Sequence, residues 1–219
     1  METLLKTILK SPRLYEYSKI IQQTVESEQE KRNRFYQQFT EQQKAEFVNG
    51  EIVIHSPVKR EHSIASDNLF SLIKYYVISK KLGEVSHEKA LVKLTRNDFE
   101  PDICFFKNEK SIQFTQNQMF FPAPDFIAEV LSKGTEKTDR GIKFKDYAFH
   151  GVGEYWLINT DKKEVEQYVL YNKRFEIVQI ISHGDIRSYQ IEDFEIPVKA
   201  IFEEQENFKT LISFTKDCH

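Results

Sequence analysis

Cysteine is scarce in this chain of 219 residues, which contains only Cys104 and Cys218. Two cysteines so far apart form no disulfide framework, and they lack the CxxC spacing of a structural zinc site. Long apolar runs are also missing, since no stretch approaches the roughly 18 apolar residues of a membrane-spanning helix. The N-terminal METLLKTILKSPRLYEY is interrupted by Lys6 and Lys10, unlike a secretory signal. We therefore expect a soluble protein of the reducing cytoplasm with no membrane partner.

A strong net charge is lacking as well. The 31 Lys and Arg residues and the 34 Asp and Glu residues give a formal net charge of -3. The chain as a whole therefore does not attract nucleic acid, and a polyanionic partner would need a local basic patch or a metal ion. Internal repeats and low-complexity segments are absent, and 40% of the residues are hydrophobic. These values are typical of one large globular domain with a substantial core.

The hydrophobic pattern predicts helices near the N-terminus. One or two amphipathic helices are expected within residues 12–44, where apolar residues recur at helical spacing. Asn49-Gly50 lies between two short apolar segments and predicts a β-hairpin. The stretch EHSIASDNLFSLIKYYVISKKLG then predicts a long helix that ends at Gly83.

Strands dominate the pattern after this helix. Three candidates follow one another, EVSHEKALVKL, EPDICFF and DFIAEVL, and the last two are typical of strands covered on both faces. A helix is expected from about residue 137 to 149, with Gly151 at its end. EYWLIN predicts a further strand, and KEVEQYVLYNKRFEIVQII predicts a hairpin that turns near Asn172-Lys173. The expected fold class is therefore α/β, an α+β mixed sheet flanked by helices.

Two of these strands interrupt their apolar runs with a carboxylate, Asp102 in one and Glu129 in the other. A buried carboxylate without a partner costs several kcal/mol, so each needs compensation. If the strands are neighbours and the acids meet at about 4 Å, their repulsion is on the order of 4 kcal/mol. A divalent cation such as Mg²⁺ or Mn²⁺ would remove that repulsion. The alternative is that both acids lie hydrated at strand ends.

Lys143, on the helix after the Glu129 strand, is the candidate cation that orients an attacking water. The short turn between strand and helix would return it across the sheet. Alternatively, Asp139 and Lys143 form an ordinary i,i+4 surface pair. The same segment is locally basic and would attract phosphates. Its candidate substrate-binding residues are Lys133, Lys137, Arg140 and Lys145.

FEPDICFF, PDFIAEVLS and DRGIKFKDYAFHGVGEYWLIN together resemble the Uma-type restriction endonuclease family, a bacterial group within the PD-(D/E)XK nuclease superfamily. The resemblance covers residues 45–200, including AEFVNGEIV and the helix that begins at EHS. It implies a restriction-endonuclease-like nuclease domain at 45–205, an N-terminal helical extension at 1–44 and a C-terminal tail at 206–219. It also implies an endonuclease that cleaves DNA with Mg²⁺, for which Mn²⁺ substitutes, and without a small-molecule cofactor.

The resemblance also implies roles for individual residues. Asp102 and Glu129 would bind the metal, the main-chain carbonyl of Val130 would add a ligand, and Lys143 would be the catalytic lysine. The superfamily's basic pattern instead puts a lysine two residues after the second acid, where this chain has Leu131. Other members whose lysine lies on the next helix make Lys143 the matching residue.

Several residues remain open alternatives. Lys133 and Lys145 are rivals of Lys143. Glu46 matches an acid before the family's first hairpin and would bridge the metal or orient water, or else it is an ordinary exposed strand-edge residue. His62, where the family also carries a histidine, would contact phosphate or make a local hydrogen bond.

Cleavage of both strands of a duplex needs two sites, so we expect a homodimer. Tyr155 and Trp156 offer faces for base stacking, but core packing is the expected role of both.

Two other functions are kept open. One is a nuclease-fold module that has lost catalysis and binds nucleic acid or a protein, with the helices of 12–44 as a docking arm. The other is a metal-free hydrolase that uses the two strand carboxylates as acid and base.

Overall fold

The computed structural model describes residues 2–38 and 44–216. The helices are α1 (Glu2–Leu9), α2 (Leu14–Gln38), α3 (Arg60–Lys80), α4 (Asn108–Ser111), α5 (Glu136–Thr138), α6 (Phe144–Phe149), α7 (Lys199–Phe202) and α8 (Glu204–Lys216). A π-helical turn, Asp139–Lys143, joins α5 to α6. The strands are β1 (Ala45–Val48), β2 (Glu51–Ile54), β3 (Gly83–His87), β4 (Leu91–Lys93), β5 (Asp98–Phe99), β6 (Ile103–Lys107), β7 (Phe120–Phe121), β8 (Phe126–Val130), β9 (Glu154–Asn159), β10 (Glu164–Tyr171), β11 (Arg174–Ile181), β12 (Asp185–Arg187) and β13 (Glu195–Pro197).

Six strands form the larger sheet, in the order β11-β10-β9-β8-β6-β3. Strands β8 and β9 are parallel, and the other neighbours in this sheet are antiparallel. A second sheet has the order β2-β1-β5-β4-β7, and β12 pairs with β13. The predicted α/β class, a mixed sheet flanked by helices, is confirmed.

Apolar residues alternate between the two faces of the larger sheet and bury both of them. Phe105 and Ala128 belong to the core that includes the buried side of α3, whereas Cys104 and Ile127 belong to the core that includes Tyr147 of α6. All five residues of β8 are buried. This double burial explains why the strand reads as a near-continuous apolar run.

Both predicted hairpins are confirmed. Strands β1 and β2 turn at Asn49-Gly50, whose φ angles are 50° and 84°. Strands β10 and β11 turn at Asn172-Lys173, with φ angles of 48° and 60°. Two successive positive φ angles are typical of the two-residue turn that matches the strand twist.

The predicted end of the long helix is wrong by one turn. Helix α3 ends at Lys80, because Lys81 adopts a φ of 57° and its amide bonds back to the carbonyl of Ile78. Gly83 instead opens β3, where an added Cβ would lie 2.0 Å from the carbonyl oxygen of Phe106. The glycine therefore permits a close approach of two strands rather than a helix end.

EVSHEKALVKL forms two strands rather than one. Strand β3 ends at His87, and Glu88 follows with a φ of 57°, so the chain turns away before β4 begins in the smaller sheet. Strands β5 and β7 escape prediction because two residues are too short to show an alternation. The helix predicted at about 137 to 149 is confirmed, except that a π-helical turn interrupts it.

The helix predicted within residues 12–44 is confirmed as α2, and α1 lies before the predicted segment. Residues 39–43 of that segment lie outside the described residues. The last third of α2 is joined to the sheets, since Arg32 donates to the carboxylate of Asp98 at 2.8 Å and Phe35 stacks on Phe47.

The C-terminal segment, expected as a tail at 206–219, includes most of α8, where Asn207 donates to the carbonyl of Asn68 on α3 at 2.8 Å. Cys218 and the last residues lie outside the described part. No helix in residues 2–38 or 44–216 is long and apolar enough to cross a membrane.

Candidate functional site

Two neighbouring strands bring the predicted acids together. Strand β6 pairs with β8; Asp102 directly precedes β6, and Glu129 is in β8. The amide of Asp102 donates to Oε2 of Glu129 at 3.3 Å, and the amide of Val130 donates to Oδ2 of Asp102 at 2.9 Å. Only 4% of Asp102 and 2% of Glu129 is exposed. The acids are therefore buried in contact, and the alternative of two hydrated strand ends is excluded.

The helix after β8 carries Lys143 back to these acids. Its Nζ lies 3.0 Å from Oε1 of Glu129 and 3.3 Å from Oδ1 of Asp139. The i,i+4 pair of Asp139 and Lys143 is thus buried rather than at the surface. One turn further, the hydroxyl of Tyr147 donates to the same oxygen of Glu129 at 3.2 Å. The π-helical turn that ends at Lys143 is a feature often found at functional sites.

Glu46 enters the site from the first hairpin. It lies within β1, is fully buried, and accepts the amide of Glu100 on Oε1 at 3.0 Å. The same oxygen lies 3.0 Å from Nζ of Lys143, and Oε2 lies 3.0 Å from Nε2 of His55. The alternative of an exposed strand-edge glutamate is therefore excluded.

Two more side chains contact Asp102. Nζ of Lys44 donates to Oδ1 at 2.7 Å, and Nε2 of His62, in the first turn of α3, lies 3.3 Å from Oδ2. His62 is buried, and its Nδ1 has no hydrogen-bond partner within the described residues. The first hairpin, α3, two strands and the helix after β8 thus surround one buried polar cluster.

Burial and the charged groups of this cluster change the pKa values of its members. Burial raises the pKa of the Glu129 carboxyl to about 8, against the opposing effect of the Lys143 ammonium. Burial alone would raise the pKa of Asp102 too, but the contacts with His62 and Lys44 hold that pKa below its usual value. Burial disfavours the Lys143 ammonium, yet Glu129 and Glu46 raise its pKa well above the usual value. Strong perturbation of several adjacent groups is typical of functional sites.

The predicted basic residues lie at the surface rather than in this cluster. Arg140 donates to Glu166 at 2.7 Å, so its charge is partly neutralised. Neither rival of Lys143 is buried with the acids. The exposed lysines of the segment are Lys133, Lys137 and Lys145.

Asp125, four positions before Glu129 in the chain, lies outside the cluster, since it precedes β8 and accepts the amide of Lys107 at 2.8 Å. The two aromatic candidates from the sequence lie in the cores. Tyr155 and Trp156 are fully buried in the two cores, and their predicted role in packing is confirmed.

Sequence reasoning missed several members of the cluster. Lys44 precedes Glu46 by two positions, so the period of a strand would have placed both on one face. Tyr147 follows Lys143 by four positions, which places both on one helix face. No local signal marks His55, because its contact with Glu46 depends on how β2 ends.

Comparisons with known proteins agree with this architecture. Residues 32–199 match the Uma2 family model, described as "Putative restriction endonuclease". The chain is 30% identical over 141 residues to the uncharacterized protein slr1290 of Synechocystis sp., covering 61% of this chain and 70% of that protein. It is 31% identical over 129 residues to the uncharacterized protein sll1609 of the same organism, covering 58% and 72%.

A solved structure has the same fold. The crystal structure titled "a putative nuclease belonging to DUF820" from Anabaena variabilis superposes with a TM-score of 0.63 at 20% identity, over 76% of this chain and 90% of that chain. At this identity the likeness concerns the fold alone. The restriction-endonuclease-like core predicted from the sequence is confirmed.

Proposed function

Because this chain belongs to the Uma2 family of restriction-endonuclease-like proteins, we propose that it is a metal-dependent endonuclease that hydrolyses phosphodiester bonds of DNA. The observation that carries the proposal is the buried contact of Asp102 with Glu129, whose carboxylate lies 3.0 Å from the ammonium of Lys143. Two neighbouring acids can hold a divalent ion that activates water, and a nearby ammonium can offset the charge that develops on the phosphate.

The donor set fits Mg²⁺, with Mn²⁺ as a substitute. Hard carboxylate oxygens and an excess of negative charge favour such a cation. In residues 2–38 and 44–216, no group of three or more His, Cys, Asp or Glu side chains could hold a metal by itself. Asp102, Glu129 and the carbonyl of Val130 would therefore share the ion with water and substrate oxygens, as is common for Mg²⁺. The cluster sets four carboxylates against two ammoniums, namely Glu46, Asp102, Glu129 and Asp139 against Lys44 and Lys143.

The cation, when bound, would supply Lewis-acid polarisation of the phosphate. Lys143 would orient the attacking water and offset the negative charge that develops on the phosphate oxygens. Glu46 and Asp139 keep this ammonium charged and in place through their contacts at 3.0 and 3.3 Å. His62, whose Nε2 lies 3.3 Å from Oδ2 of Asp102, would help to keep this carboxylate in its orientation.

The substrate would approach along the exposed surface of residues 133–145. Exposed Lys133, Lys137 and Lys145 provide local positive charge there despite the acidic total. Such a patch attracts the phosphates of DNA and makes the affinity depend on salt. Ion pairing with Glu136 and Glu166 makes Arg140 a weaker contributor than these lysines.

Each chain supplies one site, and cleavage of a duplex needs two. We therefore also propose a homodimer. The arm, defined as residues 2–27, supplies an apolar surface for it outside the matched region 32–199. Its large side chains that are more than half exposed are Leu4, Leu5, Leu9, Tyr15, Ile20, Ile21 and Val25.

Exposed apolar side chains of this kind are typical of surfaces that associate. Burial of these side chains against a second copy would stabilise a dimer.

The experiment that tests the proposed function combines metal binding with cleavage. Mn²⁺ is titrated calorimetrically into the full chain, and nicking of supercoiled plasmid is followed with Mg²⁺. Binding and nicking in the wild type, both lost in Glu129→Gln, would support the proposal. The matched control is Glu176→Gln, since Glu176 is an exposed glutamate on β11.

A wild type that binds no Mn²⁺ at millimolar concentration would contradict metal-dependent hydrolysis. Retained binding to DNA in that case would favour the second candidate, a nuclease-fold module without catalysis. The observation that favours this candidate is the Lys44 ammonium on Asp102 at 2.7 Å, because it lies where a cation would bind.

A further inference from the structure

Lys44 and Lys143 approach the acidic cluster in different ways. Lys143 is 2% exposed in its side chain and contacts three carboxylates, so its ammonium is enclosed. The side chain of Lys44 is 20% exposed and lies at the rim, where its Nζ donates to Oδ1 of Asp102 at 2.7 Å. Of the two ammoniums, that of Lys44 can therefore leave the site without breaking the buried network.

The backbone under Lys44 is anchored, so this movement needs only the side chain. The carbonyl of Lys44 accepts the amide of His55 at 3.1 Å, which closes the base of the first hairpin. The next residue, Ala45, donates its amide to Oε2 of Glu100 at 3.0 Å. Rotation of the flexible lysine stem would therefore expose Oδ1 without any movement of the backbone.

The other oxygen of Asp102 is already engaged. Oδ2 accepts the amide of Val130 at 2.9 Å and lies 3.3 Å from Nε2 of His62. A cation that enters the cluster from the rim would therefore meet Oδ1, the oxygen that Lys44 now contacts. A divalent cation and the lysine ammonium thus compete for one oxygen atom.

We propose that Lys44 is a resident counter-cation of Asp102, which a divalent cation displaces and which then pairs with a phosphate of the nucleic acid. This inference rests on the proposed function, because it requires a cation at Asp102. The lysine keeps the acids compact and neutralised while no metal is bound. Once displaced, its charge would stay at the rim, within reach of a phosphate oxygen that lies next to the cation.

Metal affinity in the absence of DNA tests the competition directly. Lys44→Met removes the competing ammonium, and we expect the dissociation constant for Mn²⁺, measured by calorimetry, to fall about tenfold. Lys44→Arg keeps a cation at the rim, so its affinity should stay near that of the wild type. Lys80→Met serves as the matched control at an exposed lysine of α3 and should change nothing.

A second measurement tests the role toward phosphate. Affinity for a duplex oligonucleotide is measured by fluorescence anisotropy with Ca²⁺, a hard divalent cation, over a series of salt concentrations. Lys44→Met should bind more weakly and lose about one unit of the salt slope, as expected for one lost phosphate contact. Lys44→Arg should restore the slope.

The outcomes separate this inference from the proposed function. A wild type without Mn²⁺ binding overturns the nuclease proposal and this inference with it. If the wild type binds Mn²⁺ and Lys44→Met binds it equally well or more weakly, only the proposal that Lys44 is a counter-cation of Asp102 is overturned. Tighter metal binding with an unaltered salt slope would overturn the contact between Lys44 and phosphate.

Discussion

Lys143 and Glu129 form a buried ion pair, with Nζ of the lysine 3.0 Å from Oε1 of the glutamate. The two residues are 14 positions apart, on a strand and on the helix that follows it. Because loss of one partner of such a pair is destabilising, the lysine bears on stability as well as on the proposed chemistry. A loss of activity in a Lys143 variant would therefore be informative only when stability is measured alongside it.

We expect Lys143→Met to lower the free energy of unfolding by about 3 to 5 kcal/mol in metal-free buffer. The substitution removes the cation that contacts Glu46, Glu129 and Asp139, and removal of one partner from a buried ion-pair network costs this much. Urea denaturation followed by circular dichroism measures the change. Lys145→Met, two residues away at the surface, should stay within about 0.5 kcal/mol of the wild type. Equal stability of the two variants would contradict the buried network.

Glu100 should make stability depend on pH. Burial raises the pKa of its carboxyl to about 7, against the opposing charge of Lys89. The folded protein therefore holds a proton that the unfolded chain releases above its ordinary pKa of 4.5. The stabilisation that comes from this bound proton is complete below about pH 4.5 and is lost as the pH rises through 7.

The Glu100→Gln variant isolates this effect because the amide does not titrate. Between pH 5 and pH 8, in the presence of a chelator, the wild type should lose on the order of 2 kcal/mol more stability than the variant. Urea denaturation at each pH gives both slopes. Parallel slopes would show that Glu100 has an ordinary pKa in the folded protein.

Arg32 should be needed for folding although it belongs to the N-terminal helices. Its guanidinium is buried against Asp98 and the carbonyl of Leu94. Arg32→Met should lower the free energy of unfolding by about 3 to 5 kcal/mol, since it leaves the buried carboxylate of Asp98 without its cation. The double variant Arg32→Met with Asp98→Leu should recover part of this loss in a double-mutant cycle. Additive losses would show that the two side chains do not interact.

The arm should mediate self-association. We expect the full chain to form a dimer at micromolar concentration and the Ile21→Gln, Val25→Gln double variant to be monomeric, as measured by sedimentation velocity. Both side chains are more than half exposed, so the fold should persist. A control pair, Ile177→Gln with Ile180→Gln on edge strand β11, should leave the dimer intact. Loss of the dimer only in the control would assign the interface to that edge.

Local chemistry explains which elements could be predicted. The turns at Asn49-Gly50 and Asn172-Lys173 need positive φ angles that these residues tolerate, so the hairpins could be read without knowledge of the fold. The break between β3 and β4 could not, because Glu88 carries no sequence signal for its left-handed conformation. The end of α3 at Lys80 was missed for the same reason, since a lysine rather than a glycine adopts that conformation at Lys81.

The candidate site was predictable in part. Asp102 and Glu129 stood out because a carboxylate within an apolar strand has to be compensated. The spacing of Asp139 and Lys143 is the same for a surface pair and for a buried one, so the sequence left that choice open. Lys44 was missed because its partner Asp102 is 58 positions away.

The sequence by itself determined the main helices, the two hairpin turns and the longer strands, and that two acids interrupt apolar runs, because these depend on neighbours within a few residues. Only the tertiary structure decided that Glu129, Lys143, Glu46 and Lys44 meet at one place. Those contacts depend on the pairing of distant strands and on the packing of a helix across them. The physical reason is that the charge balance of a buried site is a property of all the chain segments that surround it.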